Sequence, residues 1–142
     1  MTTSIARVAD IMSKNVLFAH TGQNFTQLCR LFFEMDIHHL PVADEAGQLI
    51  GILSTNDVLK AYGRKIPTLQ RADEAMLNEQ ITIFDLMTQN PISIPPSTTL
   101  KEAAQLLASH NIQSLPVVEG QKVVGIVTSR DLIRFLANNQ ET

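Results

Sequence analysis

An α+β fold is what this sequence of 142 residues predicts: a β-α-β-β-α unit present twice, the copies packed sheet to sheet about an internal pseudo-twofold. Three observations carry it. Two stretches, Gly51-Ile52-Leu53-Ser54-Thr55-Asn56-Asp57 and Gly125-Ile126-Val127-Thr128-Ser129-Arg130-Asp131, share one pattern of glycine, two apolar residues, a hydroxyl, two variable positions and an aspartate. Each stretch is preceded by Ile-x-x-Leu-Pro-Val, at Ile37–Val42 and Ile112–Val117. Each copy also opens on Asp-(Ile/Leu)-Met, at Asp10–Met12 and Asp85–Met87. The order is the same both times, so the chain divides into repeat 1 (residues 1–62), a connector (63–80) and repeat 2 (81–142).

The elements follow in order. Arg7–Met12 and Ile83–Met87 are short amphipathic turns, and Asn15–Ala19 and Asn90–Ile94 read as opening strands. Phe25, Leu28, Cys29 and Phe32 recur at the spacing of one helix face, as do Leu100, Ala103, Ala104 and Leu107. Thr98 or Thr99 caps the second of these helices, with Glu102 in its first turn. Leu31, Phe33 and Met35 leave the first helix apolar almost all round, so a second packing partner is expected, either the connector or another subunit.

Pro41 and Pro116 give no amide to a ladder, which predicts that each starts or edges its strand. Hairpins follow, turning at Asp44–Gln48 and around Glu119-Gly120-Gln121 between Val118 and Val123, the second turn one residue shorter. Their return strands, Leu49–Leu53 and Val123–Val127, are apolar nearly throughout, as strands covered on both faces are. Helical runs at Val58–Ala61 and Leu132–Leu136 close the repeats. The connector is polar, with a helical piece expected over Thr68–Leu77, and the tail from Asn138 to Thr142 is expected to fray.

Composition narrows the function. With 44% hydrophobic and 18% charged residues, the chain has an ordinary globular balance. Its formal charge of −3 gives no basic footprint for nucleic acid. No apolar run approaches the ~20 residues that span a bilayer, and Met1–Arg7 lacks a signal-peptide pattern, so a cytoplasmic protein with no membrane partner is expected. The single Cys29 fits a reducing compartment and reads as a structural thiol. No Walker loop, nucleophile elbow or Cys-x-x-Cys is present, and no enzyme activity is expected. His38 and His39 point to opposite strand faces, and no histidine pair has the helical i, i+4 spacing of a metal site, so no metal is expected.

From about Val8 to Leu136 the sequence resembles a tandem pair of CBS domains, the regulatory unit named after cystathionine beta-synthase. The resemblance rests on the paired Asp-(Ile/Leu)-Met, Leu-Pro-Val and Gly-x-x-(Ser/Thr)-x-x-Asp motifs. It implies a Bateman module with two clefts that take adenosine nucleotides or related adenosyl ligands, the aspartate of one copy being joined by the opening strand of the other. Carried over, one cleft holds Thr128, Arg130 and Asp131 with Met12, Lys14, Asn15, Val16, Leu17, Ile37 and His38. The other holds Ser54, Asn56 and Asp57 with Thr88, Asn90, Pro91, Ile92, Ile112 and Gln113.

The residue chemistry is compatible with that grouping. A carboxylate accepts two hydrogen bonds from a vicinal diol, which suits Asp57 or Asp131 to a ribose. A hydroxyl and free amides at a helix start suit a phosphate. The same Ser54 and Asp57 equally describe a helix start, with the hydroxyl capping an amide and the acid in the first turn. Both readings stand at this level. Arg130 and Lys14 give the Asp131 cleft cations where the Asp57 cleft has Asn56 and Gln89, so a phosphate favours the former. The expectation is a noncatalytic ligand-sensing module, with AMP, ADP or ATP as regulatory ligand and no required cofactor. It would act as a homodimer on a separate effector protein. The alternative is a ligand-free dimerisation scaffold.

Overall fold

The computed structural model describes residues 5–71 and 73–139. In chain order the elements are α1 (Val8–Ile11), β1 (Ala19–His20), α2 (Phe25–Met35), β2 (His39–Ala43), β3 (Leu49–Ser54), α3 (Thr55–Lys65), a 3-10 turn (Ile66–Thr68), α4 (Glu74–Gln80), α5 (Ile83–Leu86), β4 (Thr88–Gln89), α6 (Leu100–His110), β5 (Ser114–Glu119), β6 (Lys122–Thr128) and α7 (Ser129–Asn138). They gather into two units that cut across the repeats. One holds Leu17–Asn90, and the other holds the chain up to Val16 together with the chain from Pro91 onward.

In the Leu17–Asn90 unit the sheet order is β1-β2-β3-β4, with β1 parallel to β2 and the other pairs antiparallel. Its core joins Leu28, Leu40 and Leu53 of the first repeat to Ile81, Ile83 and Leu86 of the second. The helix α2 starts where Asn24 accepts from the Gln27 amide, and it ends at Asp36 in the left-handed region. In the other unit β5 and β6 form a hairpin, flanked by single bridges from Ile94, parallel to Val117, and Ser13, antiparallel to Ile126. That is the same four-position layout, its outer members reduced to one residue each. Val8, Ala103, Leu107, Leu115, Val117 and Val127 form its core.

The expected opening strands are each divided in two. Over Asn15–Ala19 only Ala19 is in a strand, and over Asn90–Ile94 only Ile94 bridges, while Asn90 adopts a left-handed conformation at φ 50°. The division falls where the chain leaves one unit for the other, so no continuous ladder partner exists along the whole stretch.

The prolines lie within their strands, opposite Ile52 and Ile126, not at the starts. The neighbour asks nothing of the missing amide: the Pro116 carbonyl accepts from Ile94 at 3.1 Å, and β1 pairs only from Val42 onward. The return strands alternate between buried and half-buried residues and are not covered equally on both faces.

The connector helix starts later than expected, because the Asp73 carboxylate accepts from the Met76 amide at 2.9 Å and sets the first turn of α4 there. The helix α4 then packs on α2, with Asn78 Oδ1 accepting from the Thr26 amide at 2.9 Å and Leu77 buried. It is the partner expected from the connector, yet it leaves Phe33 88% exposed. Cys29 is half-buried, and burial raises its thiol pKa. Of the tail, Asn138 ends α7, and Gln140–Thr142 lie outside the described residues.

Candidate functional site

Both motif aspartates close a helix start. Ser54 has extended backbone as N-cap of α3; its Oγ accepts from the Asp57 amide at 3.1 Å, while Asp57 Oδ2 accepts from the Ser54 amide at 2.8 Å. Thr128 and Asp131 repeat this at α7, at 3.1 and 2.8 Å. The capping reading is therefore realised in both copies. In each aspartate the second oxygen, Oδ1, carries no hydrogen bond among the described residues. One acceptor remains for a ligand hydroxyl. Both carboxylates are half-buried.

Similar boxes occur at Thr82/Asp85 and Thr99/Glu102, so the local pattern alone does not define a site. What distinguishes α3 and α7 is the segment beside the strand that feeds them. In the Leu17–Asn90 unit, Gly51 and Ile52 of β3 pair with Gln89 and Thr88, and the Ile50 carbonyl accepts from the Asn90 amide at 3.3 Å. In the other unit Ser13 exchanges two hydrogen bonds with Ile126, at 3.0 and 3.1 Å. The segment after each methionine thus runs alongside the strand that ends in the other repeat's hydroxyl and aspartate. This crossed arrangement is the one the resemblance implies.

Of the residues grouped with Asp131, the structure brings Met12, Lys14, Asn15 and Val16 into one unit with Thr128 and Arg130. Lys14, Asn15 and Arg130 are exposed. Leu17, Ile37 and His38 lie in the other unit, where the His38 carbonyl accepts from the Thr55 amide at 3.0 Å. Of those grouped with Asp57, Ser54, Asn56, Thr88 and Asn90 share its unit. Pro91, Ile92, Ile112 and Gln113 belong with Asp131, and Gln113 binds the start of α7: its carbonyl accepts from the Ser129 amide at 3.0 Å and its Oε1 accepts from Ser129 Oγ at 2.6 Å. Ser13 lies inside the Met12–Leu17 stretch expected beside Asp131, whereas the contacts of Ser129 with Gln113 and of Thr55 with His38 are not marked by the motif, which leaves both positions variable. Their signal was the register that places Ile-x-x-Leu-Pro-Val antiparallel to the motif strand, with His39 facing Ser54 and Ser114 facing Thr128.

Next to this register His39 is half-buried, and its pKa is lowered by desolvation first and by the charge of His38 second, with Asp57 opposing. Among the described residues no cluster of histidine, cysteine and carboxylate side chains is arranged to hold a metal. No helix of the described residues is long and apolar enough to cross a membrane.

A duplicated α+β chain in which the strands feeding α3 and α7 are each flanked by a segment from the opposite repeat belongs to a definable class, tandem paired domains that exchange their opening segments. The chain belongs to the CBS domain family, whose model matches residues 8–64 and 83–138.

Among solved structures it is similar to the CBS domain pair of protein MJ0100 in complex with 5′-methylthioadenosine and S-adenosyl-L-methionine, with 31% identity, a TM-score of 0.82, and 95% of this chain and 98% of that one covered. It is also similar to CBSX2 in complex with AMP, with 25% identity, a TM-score of 0.79, and 96% and 99% covered. Among curated proteins, the L-aspartate semialdehyde sulfurtransferase of Methanocaldococcus jannaschii is 30% identical over 141 residues, 99% of this chain. The chain spans only 25% of that relative's length.

Proposed function

We propose that this chain is a noncatalytic sensing module that takes an adenosyl ligand at the helix starts of α7 and α3 and passes the bound state to a separate effector protein. The carrying observation is the Ser13–Ile126 exchange and its counterpart Thr88–Ile52, which set a segment of one repeat alongside the strand leading to the other repeat's hydroxyl and aspartate. The 31% identical MJ0100 pair, solved with two adenosyl ligands, supports the ligand class. Asp131 and Asp57 would take the ribose hydroxyls on Oδ1, and the helix-start amides would face the phosphate or its substituent. Arg130 and Lys14 favour an anionic ligand such as AMP, ADP or ATP near Asp131, whereas Asn56 and Gln89 put neutral side chains at the matching places beside Asp57. A bound ligand changes the effector only if it binds two arrangements of the module with unequal affinity. We also take the module to act as a homodimer, since Ile133 and Leu136 of α7 are 65% and 68% exposed.

The second reading, a ligand-free scaffold, is favoured by one observation: each motif aspartate is already engaged in its capping box, as Asp85 is at α5. A thermal-shift panel of AMP, ADP, ATP, S-adenosylmethionine and 5′-methylthioadenosine separates the two readings. Ligand at a hundred times its dissociation constant stabilises by about 2.7 kcal/mol, a rise in melting temperature on the order of 5 to 10 °C for a chain of this size. No rise with any of the five at millimolar concentration supports the scaffold.

A further inference from the structure

We infer that Gly51 and Gly125 are positioning residues: each is the seat of the methionine that opens the opposite repeat, and the seat fixes the segment that follows it beside the helix start. Neither glycine is needed for its backbone conformation, because the glycines at positive φ are Gly47 and Gly120, in the hairpin turns. The requirement is space. A Cβ on Gly51 would lie 2.6 Å from Met87 Sδ and 3.0 Å from the Thr88 carbonyl oxygen. A Cβ on Gly125 would overlap Met12 Sδ, lie 2.8 Å from Met12 Cγ and 3.1 Å from the Ser13 carbonyl oxygen. At Gly22, Gly47, Gly63 and Gly120 an added Cβ meets nothing within 4 Å. Two units thus show independently the same close approach of an incoming backbone to a strand glycine.

Beyond the seat, each methionine packs against the core of the unit it enters, Met12 on the cluster around Val8 and Met87 on the cluster around Ile83. Because those clusters hold the methionine, a methyl group added at the glycine displaces it together with the backbone that carries it, whereas the Ser13 and Thr88 carbonyls by themselves need give only a few tenths of an ångström. An alanine at either glycine therefore shifts the pairing of Ser13 with Ile126, or of Thr88 with Ile52, and with it the residues that run on toward the site. The consequence for ligand rests on the reading that those segments line adenosyl sites; the seat itself does not.

The test uses the full chain. Hydrogen exchange on Gly125→Ala should show faster exchange at the Ser13 and Ile126 amides, with the Val127 and Leu115 amides of the β5–β6 hairpin still protected. Titration of AMP or S-adenosylmethionine should show at least a tenfold loss at the Asp131 site only. Gly51→Ala should do the same to the Asp57 site only, and it is the independent variant if Gly125→Ala does not fold. Met12→Ala empties the seat and should also expose the Ser13 amide. In the double variant Gly125→Ala/Met12→Ala the new methyl group occupies the space the methionine left, and protection should recover toward wild type. The inference is overturned if Gly125→Ala and Gly51→Ala leave these amides as protected as in wild type. It is equally overturned if the double variant exchanges as fast as the worse single one. If the wild-type chain binds none of the ligands, the functional reading fails while exchange still decides the seat.

Discussion

At the scale of single residues, the aspartates at 57 and 131 cap their helices and are proposed to take a ligand, two roles that sequence cannot separate. Asp57 Oδ2 holds the Ser54 amide, which any hydroxyl-x-x-carboxylate helix start provides, as Thr82 and Asp85 show. The oxygen left without a partner is what makes a ligand role available, and only the structure distinguishes one oxygen from the other. His39 is the other residue whose behaviour depends on its surroundings. Burial lowers its pKa from the usual 6.5, so as pH falls the unfolded chain binds the proton first. Above about pH 6.5 both states hold His39 neutral and it contributes no pH dependence; through and below that value its protonation favours unfolding. Urea unfolding should show stability falling between pH 7.5 and 5.5, and His39→Gln should flatten that slope. An unchanged slope in the variant would place the dependence elsewhere.

At the scale of elements, the helices were legible and the opening strands were not. The first turns of α2, α3, α6 and α7 are each fixed by residues adjacent in sequence: Asn24 with Gln27, Ser54 with Asp57, Thr99 with Glu102 and Thr128 with Asp131. The opening strands depend on partners far along the chain, and no local pattern shows that Thr88 faces Ile52 while Ile94 faces Val117. The helix α7 has no fully buried residue, and its Ile133 and Leu136 remain exposed although it is strongly two-faced. If the proposed homodimer uses this face, the wild-type chain should be dimeric by sedimentation equilibrium and Ile133→Glu/Leu136→Glu monomeric. A variant that stays dimeric would move the interface to another surface.

At the scale of the whole molecule, the duplication was readable from recurring motifs at a nearly constant offset, and the exchange of opening segments was anticipated only through family resemblance. The repeats of the sequence differ from the units of the fold, because the core around Leu28 and Leu53 is completed by Ile81, Ile83 and Leu86 of the second repeat. A fragment of residues 17–90 contains that whole core, whereas a fragment of residues 1–62 lacks those three side chains and β4. The first should melt cooperatively by circular dichroism and the second should not, even though both are small enough to be marginal. A cooperative transition in residues 1–62 would show that the repeat is sufficient.

The function stands or falls on the carboxylate of Asp131. Asparagine keeps an oxygen able to accept from the Thr128 amide, so Asp131→Asn should retain the cap and change stability by well under the ~1 kcal/mol that losing a cap typically costs. It removes the charged acceptor that a ribose diol would use. Calorimetric titration of AMP and S-adenosylmethionine into the wild type and Asp131→Asn tests this directly. The account predicts binding to the wild type and at least tenfold weaker binding at that site in the variant, with an unchanged melting temperature without ligand. Equal affinities in the two proteins, or no binding to the wild type at millimolar ligand, would contradict it.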